Sequence, residues 1–429
     1  MKILVAGSLA FDKALTALDG RMGESSSGAT AQVVSKIIAD VRKRGDKALF
    51  AYTRKFDKIT PSAKNIRLSD SEIGDMERHC HPKVVHALKT SAARIRRFHM
   101  RQVERSWSLN EPGATLGQII RPIEAVGIYV PGGKASYPSS ALMNAIPARI
   151  AGVKRIVMVS PAPGGLLNPH TIAAARIAGV DEIFRVGGAQ AIAALAYGTS
   201  SITPVDKIVG PGNAYVAEAK RQVFGKVAID MVAGPSEILI IADDAARPDV
   251  VAADLLSQAE HDEKAYPILV TTSAALASSV AGELKRQTKK LDRKDIVEAC
   301  LKRNCFAFVV ENIDGAVQIA NRFGPEHLEI LIKKPGAIVK KIENAGAIFV
   351  GPWTPEALGD YSAGPNHVLP TGGTARFYSP LGVYDFIKRT SYLNFTKAGF
   401  QKLAGGVMAV AREEGLDAHA RAVEIRLKK

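Results

Sequence analysis

From about residue 120 onward, short apolar runs bounded by glycine or proline alternate with amphipathic segments. That rhythm predicts parallel sheet covered by helices on both faces. Strands are expected at Ala125–Val130, Arg155–Val159, Glu182–Val186 and Lys207–Val209, with helices at Ser139–Ile150, His170–Ala178, Ala189–Tyr197 and Ala214–Phe224 between and after them. A second series follows Ser236, with strands at Ile238–Ile241, Ile268–Val270, Phe306–Val310 and Ala347–Val350. Its helices are expected at Asp249–Glu260, Ala275–Lys290 and Gly315–Arg322. The pattern thus predicts two open α/β units. Before them, Ala31–Arg44 and Pro82–Arg105 repeat apolar residues at three- and four-residue steps and read as helices. The first two dozen residues read as a short arm ending in the Ser/Gly-rich break Gly23–Gly28, and Leu381–Ser391 and Gln401–Glu414 as a helical terminal piece.

Length and composition agree with this picture. A chain of 429 residues exceeds one compact core, and 47% hydrophobic with 23% charged residues is ordinary for a soluble globular protein. No apolar run is long enough for a transmembrane helix. The opening Met1–Ala10 is too short in its apolar part for a signal peptide, since Asp12 and Lys13 follow at once, so a cytoplasmic protein is expected. The three cysteines, Cys80, Cys300 and Cys305, match no metal or redox spacing and read as reduced buried thiols. The net charge of +15 would suit a nucleic-acid binder, but the basic residues are scattered. In the densest stretch, Arg94–Arg105, apolar residues interrupt at helical spacing, which favours a solvated helix face; no nucleic acid is expected.

Candidate chemistry is concentrated in four patches, which hold four of the nine histidines. Gln258 and His261 are three apart on the last turn of an expected helix, a spacing that suits two ligands to one divalent metal, with Asp254 one turn earlier. A solvated polar helix end is the alternative. Glu326 and His327 follow a Gly-Pro break and combine a carboxylate with an imidazole, the pair that proton transfer uses. Asp360 and His367 share a loop dense in Gly and Pro, and Glu414 and His419 lie near the carboxyl end. Three glycine turns sit where strands end: Tyr129–Gly133, Val186–Gln190 and Val209–Asn213. They are candidates to approach a dinucleotide, with Tyr129, Gln190 and Asn213 as contacts, although no Gly-x-Gly-x-x-Gly fingerprint occurs and short βα turns need glycine anyway.

Longer segments carry a resemblance. Asp230–Glu237 (DMVAGPSE), Leu256–His261 (LSQAEH), Pro325–Glu329 (PEHLE), Gly364–Thr371 (GPNHVLPT), Val383–Phe386 (VYDF) and Gly415–His419 (GLDAH) resemble the histidinol dehydrogenases, in order and over nearly the whole chain. The resemblance implies a cytoplasmic homodimer that oxidises L-histidinol to L-histidine through the aldehyde, with one zinc ion per subunit and two NAD per substrate. It implies zinc at Gln258, His261 and Asp360, with His419 supplied by the other subunit. Glu326 and His327 would be catalytic. Ser236, His367 and Glu414 would contact the substrate beside the four zinc residues and His327, and Tyr129, Gln190 and Asn213 would contact NAD.

The resemblance also implies the fold: α/β, two incomplete Rossmann-like open parallel-sheet units plus small terminal segments that extend to a partner subunit. The expected division is an arm at 1–24, a first domain at 25–128 plus 237–381, a second at 129–236, and a helical segment at 382–429. Two features depart from the family pattern. Asp262 follows His261 where a small residue is expected, and the net positive charge exceeds what the chemistry demands. The competing expectation is a sister zinc- and NAD-dependent dehydrogenase of the same fold acting on another polar alcohol.

Overall fold

The computed structural model describes residues 1–21, 28–132 and 136–428. Most of the Gly23–Gly28 break, and Gly133 of the first glycine turn, lie outside the described residues. In chain order the strands are β1 (Lys2–Val5), β2 (Trp107–Glu111), β3 (Ala114–Pro122), β4 (Ala125–Tyr129), β5 (Arg155–Ser160), β6 (Glu182–Arg185) and β7 (Lys207–Val209). They continue with β8 (Ala228–Ile229), β9 (Glu237–Ala242), β10 (Tyr266–Thr271), β11 (Phe306–Val309), β12 (His327–Leu331), β13 (Ala347–Val350) and β14 (Ile387–Phe395).

Six strands form a parallel sheet in the order β1-β11-β10-β9-β12-β13, and five form a second parallel sheet in the order β6-β5-β4-β7-β8. The expected mixed α/β fold with two parallel sheets is what the chain adopts. Central strands read as unbroken apolar runs because helices cover both faces. Every residue of β9 is buried, and its Ile238, Leu239, Ile240 and Ile241 divide alternately between two core clusters, one on each side of the sheet. Each such side chain contributes roughly 1.5–3 kcal/mol by leaving water. After the edge strand β1, both sheets are laid down from a central strand outward and then reverse direction. The first passes from β9 outward to β11 and then returns to place β12 beside β9. The second passes from β4 to β6 and returns to place β7 beside β4.

The chain divides into two compact units. Met1–Gln102 and Glu124–Phe386 contain both parallel sheets; Val103–Ile123 and Ile387–Lys429 make the other unit. The second unit is an antiparallel sheet, β14-β3-β2, with the helices Lys397–Glu413 and Asp417–Glu424. Here the expected helix at Leu381–Ser391 is corrected. Val383–Phe386 forms a single 3-10 turn, and from Ile387 the chain is strand, paired along its whole length with β3. The run Ile387–Phe395 mixes β-branched and aromatic residues, and its pairing with β3 outweighs a helical spacing that few apolar residues support. The helix from Pro82 also ends earlier than its periodicity suggests, at His99, followed by a 3-10 turn at Met100–Gln102. The N-terminal arm contains β1, at the edge of the six-stranded sheet, and a helix, Leu9–Asp19, whose Ser8 side chain caps it.

Candidate active site

The helix Pro248–Ala259 leaves the carboxyl end of β9 and runs back antiparallel to it, so its last turn arrives at the amino ends of the strands. There it meets Glu237, the first residue of β9, and His327, the first of β12. Glu326 and His327 are both held by the Glu237 backbone. Its N–H donates to Glu326 Oε2 at 2.9 Å, and its carbonyl lies 2.9 Å from His327 Nδ1. A carbonyl only accepts, so in the neutral ring Nδ1 carries the proton and Nε2 is left as the basic nitrogen. Among the described residues Nε2 has no hydrogen-bond partner, although it is buried, with Asp360 Oδ1 at 3.7 Å and Glu356 Oε1 at 3.9 Å.

Glu356 and Asp360 are one turn apart on the helix Glu356–Tyr361. Ligand atoms of His261, Glu356 and Asp360 all lie within 4.8 Å of one another. Gln258 joins them through Glu356. With its amide nitrogen turned to that carboxylate it donates to both oxygens, at 2.9 and 3.1 Å, and its oxygen accepts from the Glu237 N–H at 3.0 Å. Ser257 Oγ donates to Glu356 at 2.7 Å, and Glu329 Oε1 accepts the Glu356 N–H at 2.7 Å. Asp254, on the preceding turn, lies beside Glu329, whose carboxyl is raised by burial and by the Asp254 charge. His367 lies near the Ser139 backbone and in the field of Asp360, His327 and His261.

Electrostatics mark this cluster out. Burial pushes Glu326 up to about 8, with His327 and the Glu237 N–H opposing. Burial also raises Glu329, Glu356 and, to about 6, Asp254. For His327 burial disfavours the charged ring, but Glu326, Asp360 and Glu356 outweigh it and lift its pKa well above the usual value. Asp360 goes the other way: burial is outweighed by His327, His367 and His261, and its carboxyl is lowered. A buried set of carboxylates with two nearby imidazoles and a carboxamide is a hard-to-borderline N/O donor set, and a divalent cation balances it. The residues therefore fit a metal such as zinc.

At the other sheet the three glycine turns lie at the carboxyl ends of β4, β6 and β7, with β4 and β7 flanking the reversal of strand order. Their glycines serve the packing of turn on turn: an added Cβ at Gly187 would come within 2.4 Å of Pro161 Cβ, and at Gly210 within 2.3 Å of the Tyr129 carbonyl oxygen. Tyr129 and Gln190 are buried beneath these turns, and the Tyr129 hydroxyl accepts the Gly188 N–H at 3.1 Å. Asn213 is exposed; its Oδ1 caps the helix Ala214–Val223 by accepting from Tyr215 and Val216, leaving its Nδ2 for other partners.

The structure thus gathers Gln258, His261, Glu326, His327, Asp360 and His367 at one place, with Ser236 directly before Glu237. Glu414 and His419 lie in the second unit, both exposed. Cys300 and Cys305 are core thiols, each pushed up to about 12, chiefly by burial, as the sequence suggested for inert cysteines. Sequence reasoning missed Glu356, Glu329 and Glu237. The first had a signal, the four-residue step to Asp360 just after the Trp353–Pro355 break. The other two sit inside apolar strands, where a lone Glu costs so much to bury that it warrants a functional question.

Residues 21–427 match the family model described as histidinol dehydrogenase. The chain is 52% identical over 430 residues to the histidinol dehydrogenase of Geobacter metallireducens, covering 100% of this chain and 98% of that one. It is 54% identical over 399 residues to that of Heliobacterium mobile, covering 92% and 93%. Its fold superposes on the crystal structure of histidinol dehydrogenase from Elizabethkingia anophelis with a TM-score of 0.93 at 37% identity, covering 100% and 98% of the two chains. The chain belongs to the histidinol dehydrogenase family.

Proposed function

We propose that this dehydrogenase oxidises L-histidinol to L-histidine through the aldehyde in the cytoplasm, with NAD accepting the hydride in each of two steps and one zinc ion per subunit. The observation that carries the reading is the single tautomer imposed on His327, whose unpartnered Nε2 faces a cluster suited to a divalent cation. A proton acceptor fixed beside a cation that binds an amino- and imidazole-bearing substrate is what alcohol oxidation needs.

Gln258, His261 and Asp360 would hold the zinc, with Glu356 supporting Gln258. Once bound, the ion supplies positioning of the substrate's nitrogens. His327 Nε2 takes the hydroxyl proton while the Glu237 carbonyl holds Nδ1–H and keeps the ring from turning. Glu326, ionised, takes a proton from the water that hydrates the aldehyde while His327 returns its proton to the aldehyde oxygen. His327, again neutral, then accepts the proton of the second oxidation. Ser236 and His367 line the substrate side. NAD would lie over the carboxyl ends of β4, β6 and β7, where Asn213 offers its free Nδ2 and buried Tyr129 and Gln190 shape the turns from beneath.

Glu414 and His419 would come from the second copy of a homodimer. The second unit favours this: Trp107, Leu109, Leu393, Leu403, Val407 and Val410 are exposed, and its helix Lys397–Glu413 buries only Gly399, Ala404 and Ala411. Among the described residues no helix is long and apolar enough to cross a membrane.

The test is NADH formation from L-histidinol by purified protein, before and after chelation and after zinc is restored. Two NADH per histidinol, lost on chelation and regained with zinc, are expected. Turnover of some other polar alcohol instead, with none of histidinol, would sink the substrate assignment.

A further inference from the structure

Glu237 holds both Glu326 and His327 with its backbone, so whatever fixes Glu237 fixes the pair. Its side chain is almost wholly buried and forms an ion pair with Arg21, the last described residue before residue 28. Arg21 Nε donates to Glu237 Oε1 at 2.6 Å and Nη2 reaches Oε2 at 3.4 Å. Nη1 donates to the Leu18 carbonyl at 2.9 Å, at the end of the helix Leu9–Asp19. Nη2 also donates to the carbonyl of Phe323, the last residue of the helix Ile313–Phe323, and the guanidinium lies 3.6 Å over the Phe323 ring. Phe323 is separated from Glu326 only by Gly324 and Pro325. One planar cation therefore ties together the start of β9 and the approach to β12, the two segments that carry the catalytic groups. Glu237 Oε1 also accepts the Gly372 N–H at 3.1 Å, which joins the loop after His367 to the same point.

We propose that Arg21 is a positioning residue for catalysis: through Glu237 and Phe323 it fixes the backbone that holds Glu326 and sets the tautomer and aim of His327. The proposal rests on the reading of His327 as the proton acceptor. Arg21 touches neither substrate nor cofactor in this account. Its guanidinium suits the task because its rigid fork serves a carboxylate and two helix-end carbonyls together, which a lysine ammonium on a flexible stem cannot do in one geometry.

Zinc-loaded Arg21→Met and Arg21→Lys variants, each alone and combined with His327→Gln, test this by kcat and KM for L-histidinol and NAD, together with metal content and melting temperature. In the wild-type background Arg21→Met should lower kcat by roughly 10- to 100-fold, the scale of a small misplacement of a reacting group. Metal content and the KM for NAD should stay near wild type. In the His327→Gln background the same change should cost less than about twofold in the first oxidation, because the acceptor it positions for that step is gone while Glu326 serves the later one. An equal loss in both backgrounds would make Arg21 merely structural and overturn the proposal while leaving the His327 reading intact. A wild-type rate in His327→Gln alone would overturn that reading, and the proposal with it. If Arg21→Met does not fold, Arg21→Lys, which keeps the charge and loses the fork, decides. It should show an intermediate loss of kcat confined to the His327 background, and a wild-type kcat would refute the role.

Discussion

The six-stranded and five-stranded sheets are built alike, yet they present opposite ends to chemistry. At the five-stranded sheet the candidate contacts lie at the carboxyl ends of β4, β6 and β7, where the helices Pro138–Ala151, Gly188–Tyr197 and Ala214–Val223 begin. At the six-stranded sheet the ionisable cluster lies at the amino ends of β9 and β12, where helices finish: Leu9–Asp19 before Arg21, Pro248–Ala259 with Gln258, and Ile313–Phe323 before Glu326. Helix starts carry unpaired N–H groups and a partial positive charge; helix ends carry carbonyls and a partial negative one. The first end favours an anionic pyrophosphate, and the second favours a metal cation, an imidazolium and Arg21. The usual rule that open sheets bind at their carboxyl ends describes ligands held by backbone donors. Where the work needs cations and a proton acceptor, the same architecture offers its other end.

If the two ends are separable, damage at one should leave binding at the other intact. The largest effect is expected for His327→Gln, which removes the buried, unpartnered Nε2 that lies 3.7 Å from Asp360 and 3.9 Å from Glu356. The first oxidation should slow by about 10²- to 10⁴-fold, the range for losing a positioned general base. Zinc content by elemental analysis and NAD affinity by calorimetry should stay unchanged. Loss of zinc in this variant would make His327 a metal ligand and blur the division of labour.

Glu326→Gln sharpens the assignment within the cluster. Burial raises the Glu326 carboxyl to about 8, so the ionised form needed to deprotonate water grows as pH rises toward that value. The aldehyde step should speed up about tenfold per pH unit below it and level off above. With Gln that limb should vanish, and single-turnover NADH should fall from two per histidinol toward one. A pH profile of the aldehyde step identical to wild type would remove Glu326 from the mechanism.

Much of the fold was legible because parallel strands and their helices write themselves as apolar runs and three-to-four-residue steps. Residues Ile387–Ser391 were misread because an exposed strand of a small antiparallel sheet has few apolar positions, and its pairing with β3 spans some 270 residues of chain that no local pattern records. The short strand β1 was missed for a similar reason, since its partner β11 lies about three hundred residues away. In the site, residues beside glycine and proline breaks stood out: Glu326, His327, Asp360 and His367. Arg21, Glu237 and Glu329 did not. Their importance comes from being buried against one another or against distant backbone, and burial of a charge is a tertiary fact.

The smallest effect, and the most exacting test of the comparison, is expected at the opposite end. Asn213 is exposed at the turn after β7, and only its Oδ1 is used by the helix it caps. Asn213→Ala should lower stability by about 1 kcal/mol through the lost cap, read as a modest drop in melting temperature. It should raise the KM for NAD about three- to tenfold through one lost hydrogen bond. Zinc content, the KM for histidinol and the pH dependence of the aldehyde step belong to the amino ends of the other sheet and should not move. Asn213→Asp separates the two contributions. It keeps an oxygen cap and places a carboxylate at a helix start, which favours the helix, yet it replaces the Nδ2 donor with negative charge where an anionic cofactor would lie. The stability should therefore return to wild type or better while the KM for NAD rises further than in Asn213→Ala. Recovery of both properties together would mean that Asn213 acts only as a cap, and that the cofactor is held elsewhere than at the carboxyl ends of this sheet.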